Sequence, residues 1–389
     1  MSSARPLLVY CAGVRWDDVR GTDRSLVSRL ALEVDVLWID PPFSAAALAR
    51  DLSIASTFRG HSPKPVAPGV ARLRVLAPPF PERPAFRAAT GFVMRRAIHR
   101  AVARSRRSPL AIVVSSPEPR LGALPGVPYV YFATDDFTAG SALMGLDAGR
   151  LADAQREQVA GSDLVVAVSS QILSRWNTVG HPTLVLPNGC DVEHYRDVDT
   201  APRPVEIYLP GPIAGVVGQL SARLDLALLE SVAATGSSLL LVGPLQDSFA
   251  PDRVARLLAM PNVQWVGKQP YASLPSYLRA IDVGLTPYAD TPFNRASDPL
   301  KTLEYLAAGR PVVSTPLPAV ERLAAPWVVA AGEPSAFAEA TMRLLSETRT
   351  SEVVRARQDF AELHSWSARA EQLLSAIGDI PPAVIASER

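Results

Sequence analysis

Residues 294–315 read NRASDPLKTLEYLAAGRPVVST, and the fold follows from this stretch. Asp298 is a good N-cap residue. Pro299 suits the first helical position, where its missing N–H costs nothing. LKTLEYLAA consists of helix-forming residues, Gly309 supplies a stop, and Arg310-Pro311 leads into an apolar strand. A loop, a helix of about ten residues and a buried strand are therefore predicted.

The same alternation runs outward in both directions. Towards the N-terminus, strands are predicted at Leu7–Cys11, Val34–Ile39, Ala71–Leu76, Ala111–Ser115, Tyr129–Phe132, Leu164–Val168 and Thr183–Leu186. In the second half they fall at Val216–Val217, Ser238–Val242, Val263–Val266, Val283–Leu285, Pro311–Ser314 and Trp327–Ala330. Most are continuous Val/Leu/Ile runs, the pattern of parallel strands covered on both faces. Helical patterns at Asp23–Ala31, Asp147–Ala160, Arg223–Ala234, Pro275–Ala280 and Pro299–Ala308 fall between them. Strands alternating with helices predict α/β, with two Rossmann-like doubly wound domains. Arg196–Pro204, RDVDTAPRP, is polar and Pro-containing and reads as a linker. The expected boundaries are 1–195, a linker at 196–204, 205–355, and a helical tail at 356–389 packing back toward the first domain.

Composition narrows the function. The chain has 389 residues, 48% hydrophobic and 20% charged, which is globular composition. Its 39 Lys+Arg balance 38 Asp+Glu, leaving no global field to attract nucleic acid. Only Lys64, Lys268 and Lys301 are lysines, so the other 36 cations are arginine. Cys11 and Cys190 cannot build a disulfide scaffold. The run Leu7–Val14 is too short and poorly flanked for a signal peptide, and no run of about 18 apolar residues suggests a membrane span. Cytoplasm is the default expectation. Arg83–Arg107 carries eight arginines, one histidine and no acid. Its arginines read as spread around the helix. A solvated helix is the plain reading; attraction to an anionic bilayer is the functional one.

The helix opened by Asp298 is the best candidate site. A helix N-terminus attracts anions. Lys301, at the predicted third helical position, adds a mobile cation, and Glu304 shares its face three residues on. A cation at phosphate distance and a carboxylate one turn deeper suit a nucleoside diphosphate. The plain alternative is an i,i+3 surface pair worth about 0.2–0.5 kcal/mol.

SDPLKTLEYLAAGRPVVST resembles the donor-site motif of retaining GT-B glycosyltransferases of the family 4 type, in the teichuronic-acid and exopolysaccharide branch. LLVYCAGVRWDDVRGTDRSL, VYFATDDF, LVLPNGCDVEHY, LLLVGPL and PNVQWVGKQPYASLPSYLRAIDVGLTPY follow the family order along nearly the whole chain. The resemblance implies the GT-B fold, two Rossmann-like domains facing a central cleft. It also implies transfer of a sugar, with retention, from a nucleoside diphosphate sugar (UDP or GDP). The acceptor would be a glycan, a lipid-linked glycan or a small molecule. Glu304 would bind ribose and Lys301 the diphosphate. Ser297, Asp298, Leu300 and Thr302 would line the phosphate end. Gly218, Gln219 and Arg223 would follow the first strand of the donor domain, with Arg223 on phosphate. Gly243 and Val266 would present backbone to the base. Many family members carry a second glutamate eight residues before the ribose-binding one; that position is Ala296 here, and the NRASD loop stands in its place.

In the first domain, Gly13 would allow close approach of a substrate, while Trp16, Asp17 and Asp18 share its loop and suit sugar contacts. Asp135 and Asp136 follow a strand at its carboxyl end, where a carboxylate that acts on or holds the acceptor belongs. The alternative is an N-cap and turn role for one of them, and which of them acts is open. No metal or cofactor is expected. Asp197-Val198-Asp199 has the Asp-x-Asp form but falls in the linker, the five histidines lack ligand spacing, and no G-x-G-x-x-G or P-loop is present. His181 and His194 read as structural. An epimerase of the same fold, or a non-catalytic transferase-like binding subunit, are the alternatives. Peripheral contact with the inner face of the cell membrane through Arg83–Arg107 is a further expectation.

Overall fold

The computed structural model describes residues 5–18, 20–46, 62–79, 84–116, 124–176, 178 and 180–380. Within them the chain divides into two compact units. One comprises Met1–Pro187 with Arg369–Arg389, the other Asn188–Ala368.

The first unit is built on β1 (Leu7–Cys11), β2 (Asp35–Ile39), β3 (Phe43–Ser44), β4 (Lys64–Ala67), β5 (Val70–Leu73), β6 (Leu76–Ala77), β7 (Pro109–Val114), β8 (Tyr129–Ala133), β9 (Leu164–Ala167) and β10 (Thr183–Val185). The main sheet runs β10-β9-β8-β7-β1-β2-β5-β4, and β3 pairs with β6 separately. All pairs are parallel except β4 with β5. β1 and β8 are buried at every residue, because helices cover both faces of a parallel sheet. The helices that matter below are α1 (Thr22–Glu33), α2 (Pro84–Ser105) and α3 (Ala148–Ala160). The run expected as one strand, Ala71–Leu76, is two short ones, β5 and β6.

Charge on α2 is more ordered than its sequence suggests. Thr90, Met94, Ile98 and Ala101 are buried. Arg95, Arg96, His99, Arg100 and Arg104 all lie on the exposed half with Phe92. Four arginines therefore share the solvent side, set by the buried residues at i, i+4, i+8 and i+11, while Arg87, one turn before Thr90, is half-buried with its Nε shut off from solvent. Arg83 lies outside the described residues.

The second unit carries β11 (Ile213–Val217), β12 (Ser238–Val242), β13 (Val263–Trp265), β14 (Val283–Thr286), β15 (Val312–Ser314) and β16 (Val328–Ala330). Their order, β13-β12-β11-β14-β15-β16, is the doubly wound order 3-2-1-4-5-6, entirely parallel. Helices used below are α4 (Val192–Tyr195), α5 (Leu226–Ala234), α6 (Pro292–Ala296), α7 (Leu300–Ala307), α8 (Ser351–Glu362) and α9 (Trp366–Gly378). The strand expected at Val216–Val217 starts three residues earlier, at Ile213. Helix α5 starts at Leu226 and not Arg223, because the Asp225 carboxylate caps it by accepting from Ala227 N at 2.9 Å.

The segment 196–204 is packed where a linker was expected. Val198 is buried in a 3₁₀ turn, and Arg196 pairs with Glu362 at 2.9 Å. Asp199 meets the guanidinium of Arg310 at 2.6 Å. Arg310 is 0% exposed and also donates from Nε to Ile281 O at 2.7 Å. The tail likewise divides: α8 lies in the second unit, and α9 carries the chain into the first from Arg369. Residues 381–389 lie outside the described ones.

The Asp199 carboxyl is subject to two opposed effects. Burial raises it, and the Arg310 hydrogen bond and charge outweigh burial, so it titrates below the usual range. A depressed carboxylate contributes stability above its unfolded pKa of about 4 and loses it as the pH falls. Asp199→Ala should cost about 1–3 kcal/mol at pH 7, because it leaves a buried guanidinium without its charge partner. Urea midpoints measured from pH 7 down to pH 3 should fall less steeply for the variant. Parallel slopes would remove this pair from the stability account.

Candidate functional site

The site is assembled at the carboxyl ends of β11, β12 and β13 and the start of α7. Helix α7 is pressed onto the sheet by Tyr305. Its hydroxyl accepts from Val217 N at 2.7 Å and donates to Gly215 O at 3.1 Å, so the end of β11 is tied to the helix. On β14, a Cβ at Gly284 would lie 2.3 Å from the Tyr305 ring, so only glycine admits this approach.

The strand ends cross in a tight stack. Gly218 N donates to Val242 O and Gly243 N to Gly267 O, each at 2.8 Å. Gly218 has φ +152° and Gly243 φ +145°, a backbone region that L side chains rarely adopt. A Cβ on Gly243 would stand 1.8 Å from Gly218 O. A Cβ on Gly218 would lie 3.6 Å from Lys301 Cε. The Lys301 stem therefore runs beside the bare end of β11. Trp265 Nε1 donates to Gly243 O at 2.8 Å and closes the same edge.

Lys301 and Glu304 form an ion pair, Nζ to Oε2 at 2.6 Å. Both are largely buried, with side-chain exposures of 26% and 13%, which distinguishes them from a solvated surface pair. Helix α7 begins at Leu300, one residue later than expected, with Pro299 at the cap position and Lys301 second in the helix. Asp298 does not cap it. Its carboxylate accepts from Asn188 N at 2.7 Å and pairs with Arg322, while its carbonyl accepts from Asn188 Nδ2 at 2.6 Å. Long-range anchoring has taken the group that local pattern assigned to the cap. Thr302 is buried in the first turn, its hydroxyl without a hydrogen-bond partner, and Ser297 Oγ donates to Phe293 O at 2.9 Å.

Arg223 is half-buried between aromatic rings, 4.8 Å from the Phe293 centroid and 5.6 Å from that of Tyr288. Its Nε donates to Asn294 Oδ1 at 3.2 Å, so α6 positions it. Gln219 directly follows Gly218, and the Val266 carbonyl accepts from Gln269 Nε2 at 2.8 Å.

Residues of NGCDVEHY pack against α7, with Cys190, Val192 and Tyr195 in one core cluster with Leu303 and Leu306. His194 stacks on Tyr271 at 4.1 Å, and its Nε2 lies 3.0 Å from Tyr271 O, consistent with its structural reading. Tyr271 Oη donates to Asp191 Oδ2 at 3.3 Å. Tyr195 is fully buried against α7. Sequence carried no signal for Tyr195 or Tyr271, because an aromatic next to a charged helix looks the same as any core aromatic.

In the first unit, Gly13 follows β1 at the switch point between β1 and β7. Its N–H lies 3.0 Å from Asp23 Oδ2 and 2.9 Å from Ser115 Oγ. Asp23 also accepts from Tyr10 Oη and Ser115 Oγ, each at 2.8 Å. Burial raises its carboxyl above the ordinary range, against those hydrogen bonds. Trp16 is 8% exposed, edge-on to Trp38 with Arg24 over its face, so its ring is used inside the unit and not held out for a sugar. Asp17 pairs with Arg72 and Arg74, both at 2.7 Å.

Asp136 is buried, meets Arg175 at 2.6 Å and accepts from Ala139 N at 2.9 Å. It holds the turn after β8. Asp135 beside it is half-buried. Among the described residues, no group of three or more His, Cys, Asp or Glu side chains is placed to hold a metal ion.

Residues 212–347, from the start of β11 through the helix after β16, match the family of glycosyl transferases group 1. TuaH of Bacillus subtilis (strain 168), described as a teichuronic acid biosynthesis glycosyltransferase, is 31% identical over 198 residues. That match covers 49% of this chain and 49% of TuaH, so the chain spans about half the length of the curated relative it matches. Sucrose-phosphate synthase from Thermosynechococcus elongatus superposes with a TM-score of 0.68 at 18% identity, covering 95% of this chain and 98% of that one. Anabaena HepE in complex with UDP and glucose gives 0.63 at 16% identity, covering 97% and 100%. The second unit thus contains a glycosyl transferases group 1 domain, and the chain has the GT-B fold.

Proposed function

We propose that the chain is a metal-independent, hexosyltransferase-type glycosyltransferase. It takes a sugar from a nucleoside diphosphate sugar, UDP- or GDP-linked, and passes it to a glycan, lipid-linked or small-molecule acceptor. The supporting observation is the placement of Lys301 and Glu304, at the start of α7 and beside the glycine ends of β11 and β12. In the doubly wound order this is the switch point, where ligands of open α/β sheets bind.

In this reading the α7 N-terminus, Lys301 and Arg223 stabilise the departing diphosphate, and Glu304 accepts hydrogen bonds from ribose. Gly218 and Gly243 leave backbone open to the nucleotide. Catalysis rests on positioning and charge stabilisation, with a donor phosphate oxygen receiving the acceptor proton and the anomeric configuration retained. No protein nucleophile is assigned. Asp135 and Asp136, at the carboxyl end of β8, are the carboxylates we assign to the acceptor.

A thermal-shift screen with UDP, GDP, dTDP and ADP tests the donor site, because a ligand that binds only the folded state raises its stability. At least one should raise Tm; no shift with any of them sinks the reading. Incubation of the matching sugar nucleotide with a lipid extract should then release nucleoside diphosphate only when acceptor is present. An epimer formed from donor alone would select an epimerase instead.

The exposed cationic half of α2 supports peripheral attachment to an anionic bilayer at the inner membrane face. No helix among the described residues is long and apolar enough to cross one. Each arginine near such a surface is worth about 1 kcal/mol. The protein should therefore sediment with phosphatidylglycerol vesicles and not with phosphatidylcholine vesicles. Joint replacement of Arg95, Arg96, Arg100 and Arg104 by alanine should abolish it. Equal sedimentation by wild type and variant would assign membrane contact elsewhere.

A further inference from the structure

Asn294, on α6, is 1% exposed, and its amide is engaged at both ends. Its Nδ2 donates to Arg223 O and to Ala289 O, each at 2.8 Å, and its Oδ1 accepts from Arg223 Nε at 3.2 Å. Ala289 N donates to the same Arg223 carbonyl at 2.9 Å, so the amide ties the segment after β11 to the one after β14. It meets Arg223 twice, once at the backbone and once at the guanidinium. The guanidinium carbon lies over the rings of Phe293 and Tyr288. Among the described residues no carboxylate pairs with Arg223, and its side-chain hydrogen bond is the one from Nε. An arginine carries five N–H donors, so the four on the terminal nitrogens are left over.

We propose that Asn294 is the positioning residue for Arg223, its neutral amide fixing the guanidinium through Nε and through the backbone that carries it. The terminal nitrogens and the whole charge are thereby kept for the donor phosphates. In the donor-site reading, on which this role rests, Arg223 meets phosphate. A long side chain ordered beforehand loses less rotamer entropy when the phosphate arrives. The chemistry of the position calls for an amide. Aspartate would still accept from Nε, but it would set its second oxygen against two carbonyls and pair off the charge that phosphate needs. Alanine would hold neither the guanidinium nor the carbonyls.

The experiment is a double-mutant cycle of Asn294→Ala and Arg223→Ala, with folding checked by melting. Affinity is titrated with UDP, or with whichever of GDP, dTDP and ADP the wild type binds. Arg223→Ala should weaken the nucleotide about tenfold or more, the scale of a hydrogen bond to a charged group. Asn294→Ala should forfeit part of that, about three- to tenfold. In the Arg223→Ala background it should add nothing, although the carbonyls of residues 223 and 289 still lose their donor there. An asparagine that only braces the fold would weaken the nucleotide alike in both backgrounds. That result, or unchanged affinity in Asn294→Ala, overturns the positioning role. Asn294→Asp serves if the alanine variant does not fold. Its affinity should fall and depend less on salt, as in Arg223→Ala, because the guanidinium charge is now paired. Wild-type affinity and salt dependence in Asn294→Asp would overturn the need for a neutral amide. If Arg223→Ala weakens the nucleotide and neither change at 294 does, only the role of Asn294 fails. If Arg223→Ala leaves affinity intact while Lys301→Ala lowers it, Arg223 is no phosphate ligand and the role of Asn294 falls with it. Should the wild type bind none of the four nucleotides, the donor-site reading itself fails.

Discussion

Lys301→Ala should weaken binding of the preferred nucleoside diphosphate by ten- to a hundredfold while leaving the fold intact. A charge-assisted contact to phosphate is worth about 1.5–3 kcal/mol, and each 1.4 kcal/mol is a factor of ten. The ammonium reaches the site along the bare end of β11 and in the free protein neutralises Glu304. The variant therefore loses the phosphate contact and leaves a partly buried carboxylate uncompensated. Glu304→Ala should also weaken the nucleotide, but less steeply with salt, since it removes ribose hydrogen bonds and not a phosphate charge. Lys301→Arg should recover only part of the loss, because a planar guanidinium is longer and cannot replace a compact ammonium in that space. Titration calorimetry at two ionic strengths reads all three. Wild-type affinity in Lys301→Ala would displace the donor site from α7.

Gly243→Ala should be the most damaging single-methyl change in the second unit. The added Cβ would fall 1.8 Å from Gly218 O, a backbone atom at the end of the neighbouring strand. No rotamer relieves a clash between Cβ and backbone, so β11 and β12 must part. A cost above about 4 kcal/mol is expected, a fall in Tm on the order of 10 °C or more. Gly236→Ala is the matched control. It has φ +83° and no atom within 4 Å of its Cβ, so it reports backbone strain without the clash. It should cost about 1–2 kcal/mol. Similar melting of the two variants would show that conformation, not the crossing of the strand ends, makes glycine necessary at 243.

Much of this architecture was legible in the chain. Continuous apolar runs such as LLVYC and SLLLV read as strands buried on both faces, and helical patterns between them favour parallel pairing. The pairing of Lys301 with Glu304 was legible too, since residues three apart share a helix face. Where the reading slipped, the cause was a distant partner. Asp298 has the chemistry of an N-cap, yet Asn188 and Arg322 take its carboxylate. RDVDTAPRP has the composition of a linker, yet Asp199 is needed by the buried Arg310. Trp16 has the chemistry of a sugar platform, yet Trp38 and Arg24 enclose it. A residue's type states which bonds it can make. It does not state which of several willing partners, from 8 to 111 positions away, will be nearest.

By itself the sequence determined the class of fold, the order of the strands along the chain and the helix that carries the candidate donor site. These depend on local periodicity and short-range spacing, which a one-dimensional pattern records completely. The tertiary structure alone decided which carboxylate caps and which anchors, and that α2 turns Arg95, Arg96, Arg100 and Arg104 to solvent. It also decided that Gly218 and Gly243 touch and that the Tyr305 hydroxyl ties α7 to the end of β11. Each of these is a contact between elements, set by how helices and strands pack and by which buried polar group finds a partner, and such contacts exist only once the chain has closed on itself.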